Sequence, residues 1–424
     1  MMSFPAVSAI VIGGASPKKA TVTNALIGTF LYQTTYLLSI PVANALLIPE
    51  MAEILRTIIT SGIILYAFIL RGRMRDMKYI KRNIVPIAVL GLWPSCPFQF
   101  AGISLSYLAS EVYTRFIRNI LFTLALILPV ICGMGLNFAI VVGAISAQTA
   151  MVISVNLMLE GGPALLFVVG LSFILSVVFG WMVAALLNRA KGKEMIVSIM
   201  VGQLSSVIYQ FVFMVAYGMF FEPRNQEIIL DRGIGVRSMI DAKNISAVFK
   251  SVLPFEFDGK TYSLLPLIFI AAFSLLLFYI QRTRLGTLAR AVGTDLHTAE
   301  KLGIKSDRVR TICIIISTLF AAMSQILFVA DFGTINVYTG HLGLDTFAAA
   351  AILVGGASIK KAKMRHCFLG VLLFHALFVT SPMAGQNLFN NPAVGEYFRS
   401  FVAYGVIVIA IMLNLRTEKE TAGK

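Results

Sequence analysis

The chain has 424 residues, of which 58% are hydrophobic and 13% charged, about half the charged share of an average soluble domain. That composition excludes a soluble fold of this size. The net charge of +15 does not mark a nucleic-acid partner, because the basic residues sit in short loops between apolar runs.

Those runs approach or exceed the roughly 20 residues a helix needs to cross hydrocarbon. A closed barrel would need strands alternating in and out over about 10 residues, and these runs are continuous. The expected fold class is therefore all-α, a polytopic transmembrane helix bundle. Taken in chain order, spans are expected near 24–46, 51–70, 83–102, 116–135, 138–157, 164–187, 194–220, 263–281, 311–330, 367–385 and 396–415. Two apolar pieces, 4–12 and 346–354, are too short to span and each runs into a Gly-Gly pair. They read as broken helices packed inside the bundle, where irregular backbone is tolerated. Residues 1–16 lack a basic leader, so no cleavable signal is expected.

Six segments, 18–19, 71–82, 189–193, 282–310, 360–365 and 416–424, hold 25 of the 35 Lys and Arg. The expected spans place all six on one side, which the positive-inside rule makes the cytoplasm, with the C-terminus there too. The long hydrophilic stretch 222–260 falls on the other face and carries six acidic and six basic residues. Glu111, Arg115 and Arg118 read as an external amphipathic surface helix ahead of the span at 116–135. Cys96, Cys132, Cys313 and Cys367 stand singly in or beside apolar runs and read as small buried hydrophobes, and His366 and His375 as hydrogen-bonded structure.

An internal repeat is visible. Residues 9–20 read AIVIGGASPKKA and residues 351–362 read AILVGGASIKKA. Gly28 matches Gly370, and after one inserted residue Pro49, Glu53, Arg56 and Gly62 match Pro392, Glu396, Arg399 and Gly405. Two unrelated greasy helices would share Leu and Val, not this spaced polar set. The expected organisation is a partial unit at 1–70 with two spans, a basic linker at 71–82, a complete unit at 83–416 and a tail at 417–424. Within the complete unit lie an external loop at 221–262 and a cytoplasmic loop at 281–310. The partial unit is expected to be a fusion remnant or the end of a unit encoded upstream.

No phosphate-cradling loop, zinc motif or nucleophile elbow is present, so no ATPase activity of its own, no catalytic residue, no metal and no cofactor are expected. In the cytoplasmic loop, Asp295 is placed as a first-turn acid and Gly303 as a C-cap of a short helix. Ala291, Leu296, Ala299, Leu302 and Ile304 offer a small apolar stripe around it. Two readings stand, a helix that docks a partner and a solvated basic connector near anionic lipid. Polar groups inside the spans are costly unless they meet a partner or water. Gln203, Ser206 and Gln210 share one helix face, as do Thr149 and Asn156 with Gln148 on their flank. They are candidates for a solute path facing the interior, or for interhelical hydrogen bonding.

The run from Arg290 to Ile304, continuing through Asp307-Arg308-Val309, resembles the cytoplasmic coupling loop of ATP-binding-cassette (ABC) importer permeases of the branched-chain amino acid, simple-sugar and nucleoside group. Gly133–Phe138 to Gly143, Gly180–Arg189, Phe347–Ser358 and Glu396–Leu415 resemble further segments of that family in the same order. The resemblance covers 80–416, with 1–70 as a second copy of the closing section. It implies a permease subunit without ATPase chemistry, embedded in the lipid of the plasma membrane. Its implied partners are ABC ATPase subunits, a second permease subunit and an external solute-binding protein. Arg290, Gly293, Asp295, Ala299, Gly303 and Ile304 would then form the ATPase-coupling element. Asn137–Gly143 departs from the family pattern in lacking an acid before its Gly. Lys193–Met200 resembles the nucleoside branch, so a nucleoside or simple sugar is the expected solute. The alternatives are branched-chain amino acids on the same machinery, or a transporter or channel that works alone.

Overall fold

The computed structural model describes residues 104–389, except 218, 221–223, 231–233 and 258–259, together with Tyr397. The expected spans at 24–46, 51–70, 83–102 and 396–415, the piece 4–12, the linker 71–82, the repeat copy in 1–70, the tail 417–424 and Cys96 lie outside the described residues.

Ser104 starts α1 (Leu105–Ala125) by accepting the Tyr107 N–H. A break at Leu126 separates α1 from α2 (Ile127–Ile131). Pro129 explains it, having no N–H for the carbonyl four residues back and a ring that crowds it. Asn137 then accepts the Ala139 N–H and opens a tight turn, Phe138–Ile140, that leads into α3 (Val141–Asn156). α4 (Gly161–Arg189) follows, then α5 (Glu194–Phe211), which ends in one wide turn at Val212–Ala216. The hydrophilic stretch holds β1 (Met239–Asp241), α6 (Lys243–Ser251), β2 (Pro254–Phe257) and β3 (Lys260–Ser263). Next come α7 (Leu265–Arg282), α8 (Arg284–Thr294), α9 (Leu296–Lys301) and α10 (Ser306–Phe332). β4 (Thr334–Asn336), α11 (Leu344–Val354) and α12 (Met364–Phe389) complete the described part. The described residues up to 376 belong to one unit, residues 103–376, and those from 377 on to a second.

Among the described residues seven helical stretches are long and apolar enough to cross a membrane. They match the seven spans expected there, and α11 is the short piece expected at 346–354. α10 is the hub, packed against α1, α3 and α4. α3 and α10 are buried around most of their circumference, whereas α4, α5 and α7 keep apolar residues such as Leu166, Met200 and Leu275 exposed. In a membrane these outward faces meet lipid instead of water.

Two ends are distinguishable by contacts. The basic end gathers the 131–136 turn, the 190–193 turn, α8, α9 and Ile359. The loop end gathers β1 to β3, the ends of α3 and α10, and β4. There β1 pairs antiparallel with β4, Ile240 opposite Ile335, and β2 pairs with β3.

One expectation is corrected. Glu111, Arg115 and Arg118 do not form a separate surface helix, because they lie within α1, which runs unbroken from Leu105. Arg118 is carried by an ion pair with Asp331 and by the ring of Phe332, 3.8 Å from its guanidinium carbon. A charge so paired and packed is compatible with a membrane-length helix. Cys132, Cys313 and Cys367 are buried and outside any disulfide, as expected of small apolar residues.

Candidate functional site

Polar side chains converge at one place inside the bundle, where α3, α5 and α10 meet the segment between β4 and α11. Gln148, at the middle of α3, is fully buried. Its Nε2 donates to Asn336 O (3.1 Å), and its Oε1 lies 3.0 Å from His341 Nδ1. Gln325 of α10 donates from Nε2 to Gly340 O (3.2 Å). The Tyr209 ring of α5 meets the His341 ring edge-on with centroids 5.0 Å apart. Gln210 donates to Tyr338 O (2.9 Å), and the Tyr338 hydroxyl donates to Val236 O (2.5 Å). The hydrophilic stretch therefore reaches the cluster twice, through Val236 and through the pairing of β1 with β4.

Three buried atoms of this cluster have no hydrogen-bond partner among the described residues: Tyr209 OH, Gln325 Oε1 and His341 Nε2. Buried polar groups are nearly always paired, so three together call for an explanation. Tyr209, Phe213 and Tyr217 continue from the cluster toward the loop end as an aromatic ladder with centroid spacings of 4.8 and 5.7 Å.

The residues expected along a path divide. Gln148 and Gln210 belong to the cluster. Ser206 is buried on the same face of α5 as Tyr209 and donates to Gly202 O (2.9 Å). Gln203 faces outward and exposed, contrary to the expectation that the whole set faces inward. The buried face of α5 runs through Gly202, Ser206 and Tyr209, and Gln203 lies about 100° round from Gly202. Thr149 is half-buried. Asn156 sits at the loop end, its Oδ1 accepting the N–H groups of Arg224 (3.0 Å) and Asn225 (3.2 Å), so it anchors the hydrophilic stretch. His341, Tyr209, Gln325 and Asn336 were missed. Gln325 breaks an apolar run and could have been singled out, but His341 sits among glycines with no periodicity.

The basic end is built differently. α8 buries Gly286, Ala289 and Val292 and carries Gly293 in its last turn, where a side chain would be driven into Ile131 O and would stand 2.9 Å from Gly133 N. Only a glycine permits this backbone-on-backbone seating. Arg290 points out and donates to Gln281 O (2.9 Å) and Thr287 Oγ (3.3 Å). Asp295 caps α9 as its position in the sequence suggested, accepting from His297 N (2.9 Å) and Thr298 N (3.1 Å). The Thr298 hydroxyl, followed by the Thr298 N–H, holds its carboxyl below the usual range. Ala299 is the buried residue of α9, Gly303 ends the turn with φ +79, and Ile304 N donates to Ala299 O (3.1 Å). Of the expected apolar stripe Leu302 projects outward, 76% exposed.

Charged groups lock this end. Lys191 Nζ lies 2.9 Å from Asp307 Oδ1 and 3.0 Å from Glu300 Oε1, and these two carboxylates, Asp307 first, raise its pKa. Glu300 is held low by the Ser306 hydroxyl and then by Lys191. Deeper in, Arg310 Nη2 donates to Glu194 Oε1 (2.6 Å) and Nε to Asn188 Oδ1 (3.0 Å) in a buried ion pair. Among the described residues no His, Cys, Asp or Glu cluster could hold a metal ion.

Known proteins carry similar sequences. BraD, a high-affinity branched-chain amino acid transport system permease protein of Pseudomonas aeruginosa, is 30% identical over 34% of this chain and 43% of its own length. LsrC, an autoinducer 2 import system permease protein of Photorhabdus luminescens, is also 30% identical over 34% of this chain and 43% of its own length. LivH of Escherichia coli, a high-affinity branched-chain amino acid transport system permease protein, is 36% identical over 24% of this chain and 33% of its length. The matches thus span less than half the length of each of these relatives. No solved structure matches. The family model described as branched-chain amino acid transport system / permease component matches residues 111–413. That match, over a multi-pass bundle of the expected kind, shows that the chain belongs to this family of membrane permease components.

Proposed function

We propose that the chain is the permease subunit of an ABC importer in the plasma membrane, taking its solute from an external binding protein and coupling to separate ATPase subunits and a second permease. The basic end is then cytoplasmic, as is the C-terminus, and the loop end is external. The observation that carries the reading is the seating of Gly293 on the Ile131–Gly133 turn. That turn leads directly into α3, which carries Gln148. A push on α8 and α9 therefore reaches the polar cluster through backbone contact, with no flexible side chain between. Arg290, Gly293, Asp295, Ala299, Gly303 and Ile304 form the coupling element, and the exposed Leu302 supplies its apolar docking contact. Gln148, Thr149, Ser206 and Gln210 line or support the path, Asn156 holds its outer rim, and Gln203 faces lipid or the second permease.

The organisation proposed with it keeps residues 83–416 as the complete unit and 1–70 as a partial copy of its closing section. A nucleoside or simple sugar is the solute, supported by the resemblance of Lys193–Met200 to that branch. Branched-chain amino acids are the second reading, favoured by the names of two of the three relatives described above.

The test is to reconstitute the full chain with its ATPase subunits and measure ATP-driven uptake and ATPase co-purification for Leu302→Asp. The variant changes an exposed residue, so membrane yield should hold while co-purification and uptake fall together. Wild-type co-purification and uptake would sink the coupling assignment, and uptake without ATP would favour a transporter that works alone.

A further inference from the structure

The cluster around His341 has a hydrogen-bonding polarity that can be worked out atom by atom. A backbone carbonyl can only accept, so the end of the Gln148 amide facing Asn336 O is its NH2 group. Gln148 Oε1 is then the acceptor facing His341, and His341 Nδ1 carries the proton. With Nδ1 protonated, the neutral ring presents Nε2 as a bare acceptor. The same reasoning applies to Gln325: its NH2 faces Gly340 O, which leaves Oε1 as a second bare acceptor. Tyr209 OH, able to donate or accept, is the third group without a partner. Tyr209, Gln325 and His341 are each more than nine-tenths buried.

They also converge. His341 touches Tyr209 by ring contact and Gln148 by hydrogen bond, while Gly340, next in the chain, receives Gln325. A Cβ on Gly340 would come 2.6 Å from Gln148 Nε2, so this backbone and that amide are in close contact. The cluster is rich in acceptors and poor in donors, and among the described residues none of the groups reaching it by hydrogen bond or ring contact is Lys, Arg, Asp or Glu. Asp345, four residues on, uses its carboxylate on Thr346 N–H and the Thr346 hydroxyl.

We infer that Tyr209, Gln325 and His341 form a binding site on the solute path for an uncharged, hydroxyl-bearing solute that supplies at least two hydrogen-bond donors. Hydroxyls satisfy the two bare acceptors, and the Tyr209 hydroxyl meets a ring or hydroxyl oxygen. The apolar faces of such a solute pack on the aromatic ladder Tyr209, Phe213 and Tyr217. A zwitterionic amino acid fits worse, because its carboxylate would be buried in this cluster without a cation. The inference rests on the permease reading for its path but not for its chemistry.

The experiment uses the full chain reconstituted with its ATPase subunits, with D-ribose, adenosine and L-leucine as probes. Tyr209→Phe removes one oxygen and nothing else, and Gln325→Met keeps the volume of the side chain while removing its acceptor. Each is expected to raise the KM for ribose or adenosine about tenfold, the worth of one hydrogen bond, with membrane yield and ATPase co-purification unchanged. Wild-type KM in both variants would overturn the site and show that these atoms meet only water. Uptake of leucine in preference to both other probes, or of none of the three, would overturn the solute class. A KM shift in uptake that needs no ATP would support the site while overturning the importer reading.

Discussion

The basic end and the interior cluster are both polar places in an apolar bundle, and they are built in opposite ways. At the basic end charge meets charge: Arg310 with Glu194, and Lys191 with Glu300 and Asp307. In the cluster the side chains are uncharged and three atoms are left without partners among the described residues. A satisfied network fixes geometry and suits a part that must transmit a push. An unsatisfied buried group costs about 1–3 kcal/mol, and that cost is offset when a solute completes the bonds. On the proposed reading the contrast gives rigidity to the basic end and binding to the interior cluster.

The largest expected effect would break the rigid half. Gly293→Leu forces a side chain into the backbone of the 131–133 turn, and overpacking of this kind costs about 1–3 kcal/mol. ATP-driven uptake should fall at least about tenfold. ATP hydrolysis by the complex should persist, so a proportional loss of both would assign the damage to folding instead of coupling. Next comes Arg310→Met, which strands Glu194 and should destabilise the purified protein by about 3–5 kcal/mol, read as a loss of Tm or yield. The double variant Arg310→Met with Glu194→Gln should recover much of that loss. If the double variant is as unstable as the sum of the singles, the pair is not coupled.

A smaller effect sharpens the comparison. Asp295→Ala removes the cap of α9, and fraying of so short a helix should weaken ATPase co-purification by about threefold while leaving solute KM unchanged. A KM change would mean that the two regions are not separable. Smallest is Lys191→Ala, an exposed pair whose loss should change co-purification by about twofold or less. Its pH dependence follows from the signs. Lys191 has a raised pKa, so its contribution is full below the ordinary 10.5 and is lost only at higher pH. Glu300 has a lowered pKa, so its contribution is present above the ordinary 4.5 and is lost only at lower pH. Co-purification should therefore be flat from about pH 6 to about pH 9 and should respond to salt instead. A step near neutrality would show that another group, not this pair, governs docking.

The residues themselves determined a good deal of this protein. Continuous apolar runs can only be helices in lipid, so the seven described spans were placed to within a turn or two at most of their ends. The start of α1 is the exception, because Glu111, Arg115 and Arg118 masked it and the ion pair to Asp331 is 213 residues away in sequence. Asp295 and Gly303 marked the ends of α9, because capping and left-handed turns are local chemistry. Gln148 and Ser206, which are buried, and Gln210, which is half-buried, were legible as inward-facing candidates from helical spacing alone.

Tertiary structure decided what local chemistry could not. The period of a helix says which residues share a face but not which face turns inward, and Gln203 shows the difference. His341 acquired its meaning only when α3, α5 and α10 closed around a glycine-rich segment. The orientation of the Gln148 amide then set which of its nitrogens is bare. Gly293 is placed in the coupling element by resemblance, but its partner, the backbone at Ile131, is given only by the fold. The meetings of His341 with Gln148 and of Gly293 with Ile131 join backbone more than a hundred residues apart, and sequence spacing carries no record of such an encounter.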